Sequence, residues 1–276
     1  MKKNYPYKFI EDRKRLRAKY PEWNSIVIDN SNGIPIIEVN NSQLLAGFAG
    51  YLKFQFRNKA KIYCRGEKHF FRTTVPSLFR DDENSVINDD RIRTRKKAFD
   101  KLVSEIPTLF KSYRFKREDI APLIQHYGIK TDWLDLLDNL FVALWFANKG
   151  SNDEYSYIKF IADRNDEDQL MVSDLREKHS SLSLRPHCQH GISVTRNVQG
   201  WNLSNIDFSD YLISIAKIRN ESFTLSGNFF DKDYMFPNYK LDNTLKLLGG
   251  DKFKRKLEEI TTEFNLKPNE LGNVEW

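Results

Sequence analysis

Between Gln125 and Ala147 the chain reads QHYGIKTDWLDLLDNLFVALWFA, and this segment restricts the possible folds more than any other. Asn139 to Ala147 is one of the most apolar stretches in the sequence and has to be buried. Shortly before it stands a polar tetrad, Gln125-His126-Tyr127-Gly128. An apolar wall lowers the local dielectric while polar groups fix orientation, which is the make-up of a ligand pocket. The same tetrad would also serve as a helix end whose Gln, His and Tyr satisfy backbone groups. The segment by itself leaves both readings open.

At 276 residues the chain is long enough to bury a sizeable core, as one large domain or two small ones. Its hydrophobic content of 40% with 13% aromatics excludes a disordered chain. Two cysteines, Cys64 and Cys188, point to a reducing compartment rather than a disulfide framework. The lysines near the start are not followed by an apolar core, so no signal peptide is expected. The run from Leu134 to Ala147 is broken by Asp135, Asp138 and Asn139 and is too short to span a bilayer. A soluble cytoplasmic protein without a membrane partner is the expectation.

Periodicity predicts a mixed α+β chain. Residues 7–20 read as a charged amphipathic helix, and the β-branched runs 25–29 and 34–39 flank the hairpin signal Asn30-Ser31-Asn32-Gly33. Asn41 or Ser42 caps a helix running toward Phe56, and 62–65 reads as a short strand ending in Gly66. A basic helix over 91–106 should stop at Pro107. Asp119 is read as the cap of a helix ending at Gly128, where a left-handed residue is needed, and Asn139 as the cap of the buried helix. Later strands are expected at 155–161, 191–195 and 211–218, and helix over 243–264 with a break at Gly249-Gly250. The fold class is α+β, a central mixed or antiparallel sheet with flanking helices.

The net charge of +6 gathers in three blocks, residues 14–19, 91–97 and 111–117, the last with cations alternating with aromatics. Such blocks neutralise phosphates and their rings stack on bases, so nucleic acid is a candidate partner through 91–97 and 111–117. Solvated helix faces would give the same pattern. Oligomeric state cannot be read from the sequence. No phosphate-binding glycine loop, serine nucleophile elbow or paired-histidine metalloprotease motif is present. His179, His187, Cys188 and His190 lack a second paired half, so no metal site is expected, and Cys188 reads as a buried thiol.

The order Tyr63-Cys64-Arg65-Gly66, then Pro76-Ser77-Leu78-Phe79-Arg80, the QHYG tetrad with Thr131 and Leu134-Asp135, and Arg185 through Gln189 to Gly191 resembles the FRG domain family. The resemblance covers roughly residues 45–240, leaving an extension of helix and hairpin at 1–44 and a charged helical segment at 241–276. Asp132 departs from the pattern: the family has Arg there, so the local charge is reversed. The resemblance implies an ADP-ribosyltransferase-like fold with a split sheet and a nicotinamide dinucleotide, NAD, as cofactor. By the same resemblance Arg65, Gln125, His126, Tyr127 and Thr131 would contact the cofactor, and Asp135 and Gln189 would act at the ribose. The late-strand Glu of that fold has no counterpart here; Gln189 falls near its place. Two functions follow: an ADP-ribosyltransferase-like enzyme, as a toxin or phage-defence effector, or a non-catalytic nucleotide- or nucleic-acid-binding module. Both expect Arg65, Gln125, His126 and Asp135 to meet in one cleft.

Overall fold

The computed structural model describes residues 34–110, 115–164, 170–198, 200–223 and 231–274. In chain order it runs β1 (Ile36–Val39), α1 (Ser42–Phe56), β2 (Ala60–Glu67), α2 (Asp89–Leu109), α3 (Arg117–Gln125), β3 (Leu134–Leu137), α4 (Leu140–Asn148) and β4 (Tyr155–Arg164). Next come β5 (Met171–Asp174), α5 (Leu175–Lys178), α6 (Leu184–Cys188), β6 (Gly191–Thr195), β7 (Leu212–Arg219), α7 (Lys232–Met235), α8 (Asn243–Leu248) and α9 (Asp251–Glu263). The class is α+β, as patterning predicts. The helix expected at 7–20 and the first arm of the expected hairpin lie outside the described residues.

Two compact units share the chain. The first takes the described residues of Met1–Arg72, Asp138–Asp168 and Asp210–Ser226; the second takes those of Thr73–Leu137, Gln169–Ser209 and Gly227–Trp276. Among the described residues no helix is long and apolar enough to cross a membrane.

In the first unit the strands run in the order β1-β7-β4-β2. β1 is parallel to β7, and β4 is antiparallel to both β7 and β2. Successive residues of β4 point to opposite faces, yet Ile158, Phe160, Ile161 and Ala162 are all without solvent exposure. Both faces of this strand are therefore covered. Asn41 caps α1 by accepting from the backbone of Leu44 at 2.8 Å, and Leu45, Phe48, Leu52 and Phe56 form its buried stripe. Phe48 meets Phe160 edge-on, with ring centroids 5.3 Å apart.

β2 extends beyond the expected 62–65 on both sides, and Gly66 lies within it rather than after it. The reason for that glycine is helix α4, capped by Asn139 through the backbone of Phe141 at 2.9 Å. A Cβ on Gly66 would overlap the carbonyl oxygen of Ala143 and lie 2.8 Å from the backbone nitrogen of Ala147. Two alanines one helical turn apart and a glycine on the strand let the two backbones touch. Close approach is the function of Gly66, and the partner is a helix rather than a ligand.

The second unit joins helices to an antiparallel run of strands in the order β3-β6-β5. Its core gathers Leu78, Phe79, Ile92, Phe99, Leu102 and Ile106 with Ile120, Ile124, Tyr127, Phe253, Ile260 and Leu271. Asn88 caps α2 by accepting from the backbone of Arg91 at 2.9 Å. Pro107 does not stop α2, which continues to Leu109. In the last turn a missing N–H deprives only one carbonyl of its partner. α3 begins before Asp119, with Lys116 at the cap and Asp119 in the first turn, where an acid suits the helix dipole. Residues 134–137 form a strand, so Asp135 is carried by β3 and not by a helix. β5, unanticipated, is four residues long and pairs with β6. Helices α8 and α9 are separated at Gly249-Gly250 as expected, and Gly250 is the cap of α9.

Replacing Gly66 by Ala should destabilise the protein by about 1–3 kcal/mol or prevent folding, because packed backbone has no room to yield. Chemical denaturation of the purified variant checks this; an unchanged midpoint would mean that α4 can lift from β2 at no cost.

Candidate functional site

Helix α3 ends at Gln125, and His126 follows as its cap residue. The turn closes at Gly128, whose φ of 94° is the left-handed conformation anticipated for it. This turn presents the His126 ring to three groups of the same unit. Nδ1 is 2.8 Å from Oε1 of Gln189. The ring edge rests on Gly191, where a Cβ would come 2.5 Å from Cε1 and 2.7 Å from Nε2. Nε2 is 3.6 Å from Oδ1 of Asp135 and is buried without a hydrogen-bond partner.

Asp135 stands opposite Ser193 in the β3–β6 register, and the Ser193 hydroxyl donates to Oδ1 at 3.2 Å. Its side chain keeps 32% exposure against 3% for His126, so the carboxylate is the part of this cluster open to solvent. Gln189 is buried. Its Nε2 donates to the carbonyl of Met235 at 2.8 Å while Oε1 faces His126. A histidine beside a carboxylate, each fixed by neighbours, is an arrangement for proton transfer or for holding a polar ligand.

The other residues of the tetrad face inward. Tyr127 has no exposure, and its hydroxyl donates to both carboxylate oxygens of Asp242 at 3.0 and 2.9 Å. Burial first, and then the Asp242 charge, push its phenol well above the ordinary range, so it stays neutral. Arg185 lies against the ring at 5.3 Å, and its Nη1 donates to the His126 carbonyl at 3.3 Å. Gln125 accepts from the Thr131 hydroxyl at 2.7 Å. The 76–80 motif holds Thr131 in turn: Thr131 donates its N–H to Ser77 Oγ, and Leu78 donates its N–H to the Thr131 carbonyl. Asp132, where the family has Arg, is buried 3.4 Å from Lys96. Burial raises its carboxyl pKa and Lys96 opposes the rise.

Arg65 belongs to the first unit, whereas Gln125, His126, Tyr127, Thr131, Asp135 and Gln189 all belong to the second. It sits within β2, pairs with Glu67 at 3.1 Å, and faces Lys159 across the β2–β4 register. The carboxylate found beside it is thus Glu67, which also meets the fully buried Lys159 at 2.9 Å. Next to it, burial pushes the Cys64 thiol up to about 12, with Lys53 opposing and Asp138 adding to the rise. That thiol is no nucleophile at neutral pH. Burial likewise raises the Cys188 thiol, which sits at the end of helix α6. No metal-binding group of His, Cys, Asp or Glu occurs among the described residues. His187 instead approaches the His179 carbonyl at 3.0 Å.

The basic block 91–97 is largely paired within the unit. Arg91 and Arg95 both bind Glu270, Arg93 pairs with Asp90, and Lys96 with Asp100 and Asp132. Lys97 is exposed, and residues 111–114 lie outside the described residues. Glu270 belongs to a C-terminal segment that sequence reading left unassigned to any site. Here Leu271 accepts from the backbone of Lys130 at 2.9 Å, and Gly272 packs against Gly128 so closely that a Cβ would overlap its carbonyl oxygen. Nothing in the local sequence around 270 signals this clamp on the tetrad turn.

Residues 60–156 match the sequence model of the FRG domain. The match takes in Arg65-Gly66, the 76–80 motif and the tetrad, and stops before Gln189 and Gly191. No curated protein matches the chain.

The clamp has a pH signature. Burial disfavours the Glu270 carboxylate, but hydrogen bonds from Arg91, the Lys267 backbone and Arg95 overcome this and lower its pKa from 4.5 to about 2. A depressed folded-state value means that the stabilisation is complete above the unfolded value of 4.5 and is lost as pH falls through about 2. Glu270→Gln should therefore be less stable than wild type at neutral pH and should converge on it in strong acid. Equal stability of the two at neutral pH, measured by denaturant melts, would remove this role.

Proposed function

We propose that this FRG-domain protein acts on a nicotinamide dinucleotide through His126 and Asp135 of the second unit, as an ADP-ribosyltransferase-like enzyme. The observation that carries the site is the buried, unpartnered Nε2 of His126, 3.6 Å from a carboxylate with 32% side-chain exposure. The identity of the dinucleotide comes from the family resemblance. A buried nitrogen without a hydrogen bond is costly unless something meets it, which fits a polar group such as a ribose hydroxyl. The dinucleotide supplies a glycosidic bond whose cleavage leaves positive charge on the ribosyl carbon.

Asp135 is the residue suited to offset that charge. It is anchored by Ser193 and reaches solvent, whereas Gln189 has both ends of its amide engaged by His126 and Met235. A fixed carboxylate in a site of lowered dielectric stabilises developing positive charge without reorganising. Gln125 and Thr131 hold the turn that carries His126. Such an activity would suit a toxin or phage-defence effector.

A non-catalytic nucleotide-binding module is the second reading, and it is favoured by a neutral, buried Gln189 near the place where the resemblance expects a Glu. One experiment separates the two. Nicotinamide release from the dinucleotide is measured for wild type, Asp135→Asn, His126→Ala and Arg65→Ala, with and without oligonucleotide, alongside dinucleotide binding. Asp135→Asn keeps shape and hydrogen bonding, so a loss of roughly 100-fold or more in turnover with binding retained identifies the charge as the catalytic element. Binding without release by folded wild type establishes the binding module. If folded wild type shows neither release nor binding, the dinucleotide is excluded.

A further inference from the structure

We infer that Gln189 holds the proton of neutral His126 on Nδ1, so that Nε2 faces the ligand as a proton acceptor beside the Asp135 carboxylate. The inference deepens the proposed use of this site and rests on that reading for its catalytic meaning, though not for its chemistry. The Met235 backbone carbonyl can only accept, and it lies 2.8 Å from the outer end of the Gln189 amide. That end is therefore the NH2 group; the reverse orientation would set two oxygens against each other. The inner end of the amide is then the oxygen, 2.8 Å from His126 Nδ1. An amide oxygen can only accept, so Nδ1 must carry the proton.

With Nδ1 protonated, the neutral ring has its lone pair on Nε2. The group facing that lone pair is Asp135 Oδ1, another acceptor, at 3.6 Å. Two acceptors at that distance do not bond to each other. Hydrogen between them satisfies both: a hydroxyl donated by a ligand, or a proton taken up by the ring. The ring cannot turn away from this arrangement in the direction of β6, because its edge already rests on the Cα of Gly191. Arg185 donates to the His126 carbonyl and so helps to fix the backbone that carries the ring.

The ligand class follows. The group recognised at Nε2 is a hydrogen donor, a hydroxyl of a sugar or of an incoming alcohol or water. If the hydroxyl reacts, its oxygen bonds to the ribosyl carbon as the glycosidic bond breaks and nicotinamide leaves with that bond's electron pair; the O–H proton passes to Nε2, and the imidazolium so formed lies against the Asp135 carboxylate. Gln189 in this account is a positioning residue. It touches no substrate and acts through the tautomer of His126.

The tautomer is read directly by nitrogen NMR of the full chain labelled at histidine, with His126 assigned by the signals lost in His126→Gln. In its neutral form, wild-type His126 should show a protonated Nδ1 and an unprotonated Nε2. Gln189→Leu removes the acceptor at Nδ1, and the proton should move to Nε2, where Asp135 accepts it; the Nδ1–H signature is lost. A wild-type ring protonated on Nε2, an imidazolium persisting into alkaline solution, or identical tautomers in wild type and Gln189→Leu would each overturn the inference. If Gln189→Leu does not fold, the wild-type spectrum still decides it. None of these readings depends on nicotinamide release, so failure of the tautomer and failure of the proposed reaction are distinguishable.

Discussion

A carboxylate with no solvent exposure, that of Asp242, is the constraint on which the second unit depends. It accepts from the Tyr127 hydroxyl, from the backbone of Arg185 at 2.9 Å and from the backbone of Leu245 at 3.0 Å. One acid therefore joins the tetrad turn, the beginning of α6 and the cap of α8. Removing a buried carboxylate from water is costly, and the cost is offset only when hydrogen bonds replace its hydration. Three elements must then arrive together, which makes the site downstream of this acid a property of the whole unit.

The segments that carry the family resemblance hold one another in place. Ser77 and Leu78 fasten Thr131, Thr131 fastens Gln125, and Arg95 donates to the carbonyls of Leu78 and Arg80 while binding Glu270. Arg185 supports Tyr127 and the His126 backbone, and Gly191 leaves room for the His126 ring. Most of these motif residues are scaffold. Nε2 of His126 is one of several buried polar atoms left without a hydrogen bond, and it lies 3.6 Å from the partly exposed Asp135 carboxylate. In the first unit the Arg-Gly pair divides differently: Gly66 answers to the backbone of α4, and Arg65 to the charge of Glu67, which Lys159 also meets.

Charge follows the same rule. A run of cations such as 91–97 suggests a polyanion when read along the chain, because the helix that carries it is not yet packed against anything. Folding brings Glu270 from the far end of the chain to Arg91 and Arg95. Those two guanidiniums contribute to holding a segment, and much of the field a distant phosphate would feel is cancelled locally.

The sequence by itself determined the α+β class, the caps at Asn41 and Asn139, the left-handed Gly128, the break at Gly249-Gly250 and most of the strands. These are local: a side chain two or three residues away, or one backbone conformation, decides each. It also singled out Gln125, His126, Asp135 and Gln189 through motif order. Tertiary structure alone decided what each residue does. Pro107 is tolerated because α2 was already ending, and residues 134–137 form a strand because β6 is there to pair with them. The roles of Gly66, Gly191 and Glu270 depend on Ala143, His126 and Arg95, which are far away in sequence. Pairings across such separations follow from the packing of whole elements, and no local pattern of residues encodes them.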